Sequence, residues 1–149
     1  MSFLITYVCI LAPAVGYAVI GITRRYREKG TQPSPILLVA VTGITIVALA
    51  PPTFVLLYVA GAAGDIILQL QGADWALAVA WPWLTVFAFT ASPDGLRRWI
   101  PFSLLWLGTA SIVASGHGLI PFDAARWITI LGFVATIPMA MTLLVSRRK

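Results

Sequence analysis

Apolar residues fall into five long runs, and the charged residues lie in the short segments between them. The runs cover residues 3–22, 36–60, 75–91, 100–117 and 124–145. At a rise of about 1.5 Å per residue, runs of this length suit helices that cross roughly 30 Å of hydrocarbon. The pattern predicts an all-α integral membrane protein, with residues 1–149 as one polytopic domain. Its predicted architecture is a five-transmembrane-helix bundle with proline-kinked spans.

The second run contains two consecutive prolines, Pro51 and Pro52, in the stretch ALAPPTFVLLYVAG. Its helix is expected to start at Ser34 and Pro35, because serine caps helix N-termini and proline fits the first turn. Residues 36–64 carry no charge and would form about 43 Å of helix, more than one hydrocarbon core but too little for two crossings and a turn. Length alone leaves open whether the chain crosses once or turns back at the prolines.

The basic residues discriminate between these two arrangements. A single crossing places nine of the ten basic residues on one side and Arg126 alone on the other, whereas a turn at the prolines divides the ten equally. The nine are Arg24, Arg25, Arg27, Lys29, Arg97, Arg98, Arg147, Arg148 and Lys149. Because Lys and Arg concentrate on the cytoplasmic side, we expect a single crossing in the cell membrane. The N-terminus is then outside, and the basic loops and the C-terminus are cytoplasmic.

Composition agrees with a membrane protein. The chain is 60% hydrophobic and 10% charged, with a mean hydropathy of +0.94, which excludes a soluble domain. Its net charge of +5 sits in clusters at the ends of the runs, so no nucleic-acid partner is expected. Residues 1–18 have the apolar core of a secretory signal, but the basic cluster follows that core, which indicates a retained first span.

The segment before the third run, residues 61–74, is too short and polar to span. Asp74 is expected to cap the third helix, with Trp75 at the outer interface. Within the segment, three apolar residues favour a short interfacial helix, although residues 68–71 also alternate as in a strand. The three are Ile66, Ile67 and Leu70.

Carboxylates, lysines and arginines are absent from the interiors of the predicted spans, because all fifteen charged residues lie in loops or at helix ends. Proton relays and ion-coupled pathways use such groups at membrane depth, and acid–base catalysis needs them close together. Cys9 is the only cysteine and His117 the only histidine. We therefore predict no catalytic residues and no metal site.

Two features have competing interpretations. Pro51 and Pro52 free the carbonyls of about Val47 and Ala48. Either these carbonyls line a site or a pore, or the prolines mark a packing kink or the point where a short span gives way to an outer helix starting at Pro51. Further prolines inside spans favour packing: Pro13, Pro82 and Pro138.

His117 is either a haem ligand, whose second ligand comes from another chain, or an interfacial residue bonded to a turn carbonyl or to Asp123. The chain's own alternatives as a second ligand are Cys9, Met1, Met139 and Met141.

Six tryptophans divide into two groups. Trp75, Trp99 and Trp127 are expected as interfacial anchors. Deeper in the spans lie Trp81, Trp83 and Trp106, which either pack in the core or stack on a planar lipid, a quinone or a pigment.

The fourth run contains a row of small residues. Gly108, Ser111, Ser115 and Gly118 are spaced at three, four and three residues, so they stack on one helix face. Small residues let helices approach closely in lipid. The face is either an assembly surface toward another subunit or a packing surface within the chain.

Three function classes remain. The first is a non-catalytic multi-pass subunit or assembly partner of a larger membrane complex. The second is a homo-oligomeric channel or carrier for a neutral or weakly polar solute. The third is a binder of haem, quinone or another lipid-like cofactor, although no cofactor is predicted from the residues. The expected partners are the lipid bilayer and other membrane subunits or a second copy of the chain.

Overall fold

Five helices and their connections make up the computed structural model, which describes residues 3–63, 71–91 and 97–146. The helices are α1 (Phe3–Glu28), α2 (Pro35–Ala63), α3 (Gln71–Ala91), α4 (Trp99–Gly116) and α5 (Phe122–Ser146). These residues include no strand. Helices α1, α2, α4 and α5 are long and apolar enough to span a membrane, while the apolar part described in α3, Leu77–Thr90, is shorter.

The start of α2 confirms the expected cap. The backbone amide of Leu37 donates to the Ser34 hydroxyl at 3.2 Å, and the helix begins at Pro35. Helix α2 then continues through Pro51 and Pro52 to Ala63, so the chain does not reverse at the prolines.

The start of α3 corrects the sequence prediction. Helix α3 is described from Gln71 onwards, so Asp74 lies inside the helix and is not its N-cap. Part of the expected interfacial segment is helical, because residues 61–63 extend α2 and residues 71–74 belong to α3. The remainder, with Ile66, Ile67 and Leu70, lies outside the described residues.

Two helices end at a glycine with a positive φ angle. Gly30 follows α1 with φ 71°, and the amide of Thr31 returns to the carbonyl of Tyr26 at 3.0 Å. Gly118 follows α4 with φ 73°, and the amide of Leu119 returns to the carbonyl of Ala114 at 3.0 Å. Both ends are Schellman turns, which need a residue that tolerates the left-handed region.

Helix α3 lies at the centre of the bundle. It contacts each of the other four helices, whereas among the remaining pairs only α1 with α2, α2 with α4, and α4 with α5 are in contact in the described chain. Its residues Ala78, Trp81 and Val86 are fully buried. Helices α1, α2, α4 and α5 therefore form an arc around α3, in that order.

The contacts also show which helix ends lie together. The Arg25 guanidinium donates to the Thr90 carbonyl near the end of α3, and the Phe89 ring lies 5.4 Å from that of Trp99 at the start of α4. Six basic residues thus lie at one end of the bundle, hereafter the basic end: Arg24, Arg25, Arg27, Lys29, Arg97 and Arg98. Arg126 lies at the opposite end, near the start of α5.

Candidate functional site

The two prolines of α2 lie beside two aromatic hydrogen-bond donors from other helices. The Trp106 indole Nε1 on α4 donates to the Ala48 carbonyl at 3.0 Å. The Tyr7 hydroxyl on α1 donates to the Ala50 carbonyl, also at 3.0 Å. Both bonds join α2 to a neighbouring helix at the level of the prolines.

The Trp106 bond explains what becomes of a carbonyl released by proline. In a regular helix the Ala48 carbonyl would accept from the amide of residue 52, but Pro52 has no amide hydrogen. The indole of Trp106 supplies the missing donor. The Ala48 carbonyl, which the sequence identified as freed, therefore joins α2 to α4. The side chain of Val47, the other residue so identified, lies on the exposed surface.

Trp81 occupies the contact between α3, α4 and α5. Its side chain is fully buried, and its Nε1 donates to the Thr136 hydroxyl at 3.1 Å. A methyl group added to Gly108 would lie 2.6 Å from the indole, and one added to Gly132 would lie 3.1 Å away. The indole is held between two glycines, so a planar ligand cannot stack on it while the helices stay in place.

The other tryptophans are more accessible. Trp83 is half-buried, with its ring 6.3 Å from that of Tyr17 on α1. The Trp106 ring is partly exposed although its nitrogen is bonded. Trp99 and Trp127 are exposed near helix ends, and the side chain of Trp75 lies outside the described residues.

The small-residue face of α4 is divided along its length. Gly108 and Ser111 face α5: the Thr129 hydroxyl donates to the Gly108 carbonyl at 3.2 Å, and the Ser111 hydroxyl donates to the Ala125 carbonyl at 3.3 Å. Ser115 is half-buried, and Gly118 is exposed in the turn beyond the helix. Gly108 and Ser111 therefore pack inside the chain. This leaves Ser115 as the helical member of the face that lies nearest the end opposite to the basic end.

Buried hydroxyl groups are a further feature of the interior. The residues are Thr45, Thr53, Thr85, Thr90, Thr109, Ser111, Thr129 and Thr136. All except Thr53 and Thr85 make a hydrogen bond in the described structure, mostly to a carbonyl of their own helix. An unpaired buried hydroxyl costs about 1–3 kcal/mol, so Thr53 and Thr85 can each accept a polar ligand or a water molecule.

His117 lies at the C-terminal end of α4, where its backbone amide donates to the Val113 carbonyl at 3.2 Å. Its side chain is exposed and makes no hydrogen bond to Asp123 or to a turn carbonyl within the described chain. Met139 and Met141 lie more than four turns into α5, about 25 Å from its start, which is too far to share a site with His117. The described residues contain no cluster of three metal-ligating side chains.

Sequence reasoning missed the partners of the aromatic donors. Gly132 and Thr136 stand four residues apart, a spacing that puts both on one face of α5 and that could have identified them as partners of a large side chain. The role of Tyr7 had no such signal, because its acceptor is a backbone carbonyl 43 residues away.

The described residues thus form a helical bundle with four helices long and apolar enough to span a membrane, in which most buried hydroxyl groups bond to helix backbones. Comparisons with protein-family models, with curated proteins and with solved structures gave no match to this chain.

Proposed function

We propose that the chain is a non-catalytic multi-pass membrane subunit that assembles with other membrane proteins or with itself. In this proposal all five helices cross the cell membrane. The N-terminus is outside, and the basic end and the C-terminus are cytoplasmic.

The use of the polar groups carries the proposal. Among the described residues the charged ones lie near helix ends, and the buried hydroxyl groups between them mainly bond to helix backbones. The Trp106 indole donates to the Ala48 carbonyl, which Pro52 leaves without its helical donor, and the Trp81 indole donates to the Thr136 hydroxyl. Side chains committed to holding helices together are not available for acid–base chemistry, which favours a scaffolding role.

Two observations support the proposed orientation and number of crossings. Six basic residues share one end of the bundle and Arg126 lies at the other, as expected if the first end is cytoplasmic. Helix α3 has 21 residues, about 31 Å, which is the thickness of the hydrocarbon core. Its contacts with all the other helices make it the natural fifth span.

Native mass spectrometry of the protein, extracted gently from its own membrane, tests the proposal directly. We expect other chains, or further copies of this one, in a fixed ratio. The variant Ser115→Leu enlarges the small-residue face near the outer end and should lower the fraction in the complex. Ser103→Leu, at an exposed position on the same helix, is the matched control.

A monodisperse monomer without partners would overturn the subunit role. A complex that Ser115→Leu and Ser103→Leu disturb equally would leave that role standing but would contradict the assembly face. A Soret band or a quinone spectrum in the same sample would instead support the cofactor-binding alternative, and loss of that band in His117→Ala would identify the ligand.

Thr53 and Thr85 favour one second candidate, a channel or carrier for a neutral or weakly polar solute. Their hydroxyls are buried and unpaired in the described structure, as expected of groups that bind a passing polar molecule. Flux of glycerol or urea into liposomes, lowered in Thr53→Val and Thr85→Val but not in Thr42→Val, would support this candidate. Thr42 is the control because its hydroxyl bonds to the Leu38 carbonyl of its own helix at 2.8 Å.

A further inference from the structure

The basic end combines exposed positive charge with exposed aromatic rings. Helix α1 has 26 residues, about 39 Å, and exceeds the hydrocarbon core by roughly 9 Å. Tyr26 and Trp99 are both exposed at this end, and such rings favour the level of the headgroups. The cations near Tyr26 therefore lie where lipid phosphates lie.

We propose that the basic end binds the headgroups of anionic phospholipids. The inference requires that the bundle is inserted in a membrane, but it does not depend on the subunit role. A phosphodiester carries one negative charge and offers oxygen acceptors that suit the guanidinium fork of arginine and the ammonium of lysine.

The end of α1 carries more positive than negative charge. Arg24 pairs with Glu28 at 3.2 Å, but both side chains are largely exposed, so the pair is screened by water. Arg27 and Lys29 are exposed beside it and add two cations without a further carboxylate on this helix. The excess charge faces the lipid headgroups and the water beyond them.

The structure brings a second pair of cations to the same end. Arg25 holds the end of α1 to the Thr90 carbonyl of α3, and Phe89 of α3 contacts Trp99 of α4. Arg97 and Arg98 immediately precede Trp99. Two basic segments, separated by about seventy residues of sequence, therefore converge on the end of the central helix.

Lipid explains these features better than an acidic protein does. Exposed tyrosine and tryptophan beside the cations are typical of a membrane interface, where an amphipathic ring has one apolar and one wet side. An acidic protein would need the cations but would not need rings at the depth of the headgroups.

The test measures which lipids the protein retains. Wild-type protein in micelles that contain equal amounts of phosphatidylglycerol and phosphatidylcholine is transferred to lipid-free detergent, and the bound lipids are counted by native mass spectrometry. We expect retention of phosphatidylglycerol to exceed that of phosphatidylcholine by about threefold or more at low salt, and the preference to shrink at high salt.

The double variant Arg27→Gln/Lys29→Gln should lose most of this preference. Arg126→Gln, which removes the described cation at the opposite end, should keep it. Both variants should match the wild type in helix content and in elution volume, because the three side chains are exposed. If the double variant does not fold, Lys29→Gln alone replaces it, and a partial loss is expected.

Three results would overturn the proposal. The first is equal retention of the two lipids by the wild type. The second is a preference that the double variant keeps or that Arg126→Gln loses. The third is an acidic protein that copurifies with the wild type and is released by the double substitution, with no preference for phosphatidylglycerol. This result would identify a protein as the occupant.

Discussion

The contact of α3, α4 and α5 differs from the seam between α1 and α2 in how the helices are joined. In the first region the helices approach closely at glycines, because the Trp81 indole packs against Gly108 and Gly132. The hydroxyls of Ser111 and Thr129 also donate to carbonyls of the neighbouring helix. In the second region long aromatic side chains bridge the helices. Tyr7 bonds to the Ala50 carbonyl, and the Phe3 ring lies 5.2 Å from that of Phe54.

The difference indicates two ways to join helices where lipid supplies no hydrophobic drive. Close approach depends on the absence of side-chain atoms, so it should be sensitive to any added volume. Bridging by an aromatic donor depends on one hydrogen bond and on ring contacts, so it should tolerate change better. Substitutions in the two regions should therefore differ in size of effect.

The largest effect is expected for Trp81→Ala. This change removes a fully buried indole at the contact of three helices and the bond to Thr136. Large-to-small core substitutions of this kind cost about 3–5 kcal/mol of unfolding free energy. The free energy of unfolding, measured by titrating dodecyl sulfate into mild detergent micelles, should fall by this amount or the bundle should fail to form.

Trp127→Ala is the control for Trp81→Ala. Its side chain is exposed near the start of α5, so its loss should change the unfolding free energy little. Equal effects of the two substitutions would show that the contact of α3, α4 and α5 is not the tightly packed region.

Gly108→Ala should have the next largest effect. Alanine is favoured over glycine in a helix by about 0.5–1 kcal/mol, but here its methyl group would lie 2.6 Å from the Trp81 indole. The indole cannot move away easily, because Gly132 is close on another side and Thr136 holds its nitrogen. Overpacking costs about 1–3 kcal/mol, so unfolding by dodecyl sulfate should begin at a lower concentration.

Gly43→Ala is the matched control on α2, where an added methyl group would meet nothing within 4 Å. Its stability should equal or exceed that of the wild type. If Gly108→Ala were as stable as Gly43→Ala, the close approach of α4 to Trp81 would be contradicted.

Hydropathy patterns predicted much of the fold. The apolar runs located all five helices, and Ser34 with Pro35 located the start of α2, because these signals are local. Boundaries were less accurate: α1 extends to Glu28 and α3 already includes Gln71, since both helices continue past the apolar residues that define the runs. The central position of α3 was not predictable, because it depends on which faces of other helices meet it.

Local chemistry likewise predicted only one side of each contact. Pro52 identified Ala48 as a carbonyl without its helical donor, because that rule involves residues four apart. The donor, Trp106, is 58 residues away, and no pattern within one helix identifies it. The same limit applies to the α4 face: its small residues were visible, but their burial against α5 was not.

Trp106→Phe should have a moderate effect. The ring is largely preserved, but the Ala48 carbonyl loses its donor and has no amide four residues on to replace it. Hydrogen bonds between membrane helices are worth about 0.6 kcal/mol on average and up to about 1.7, and an orphaned carbonyl favours the upper part of this range. Unfolding in dodecyl sulfate measures the loss.

A double-mutant cycle isolates the role of the proline. Pro52→Ala restores an amide donor for the Ala48 carbonyl, so Trp106→Phe should be less destabilising in the Pro52→Ala background than in the wild type. Additive effects of the two substitutions would mean that the indole does not replace the missing amide.

The smallest effect is expected for Tyr7→Phe. The substitution removes only the hydroxyl that bonds to the Ala50 carbonyl and keeps the ring, whose centroid lies 6.0 Å from that of Phe54. Unlike Ala48, Ala50 is followed four residues later by Phe54, which has an amide hydrogen, so its carbonyl keeps its helical donor. We expect a loss of about 0.6 kcal/mol or less in the same titration.

Because Pro52 is not part of this hydrogen bond, the loss should be the same in the Pro52→Ala background. A loss as large as that of Trp106→Phe would mean that bonding to a proline-freed carbonyl has no special weight, and that the two aromatic donors contribute alike.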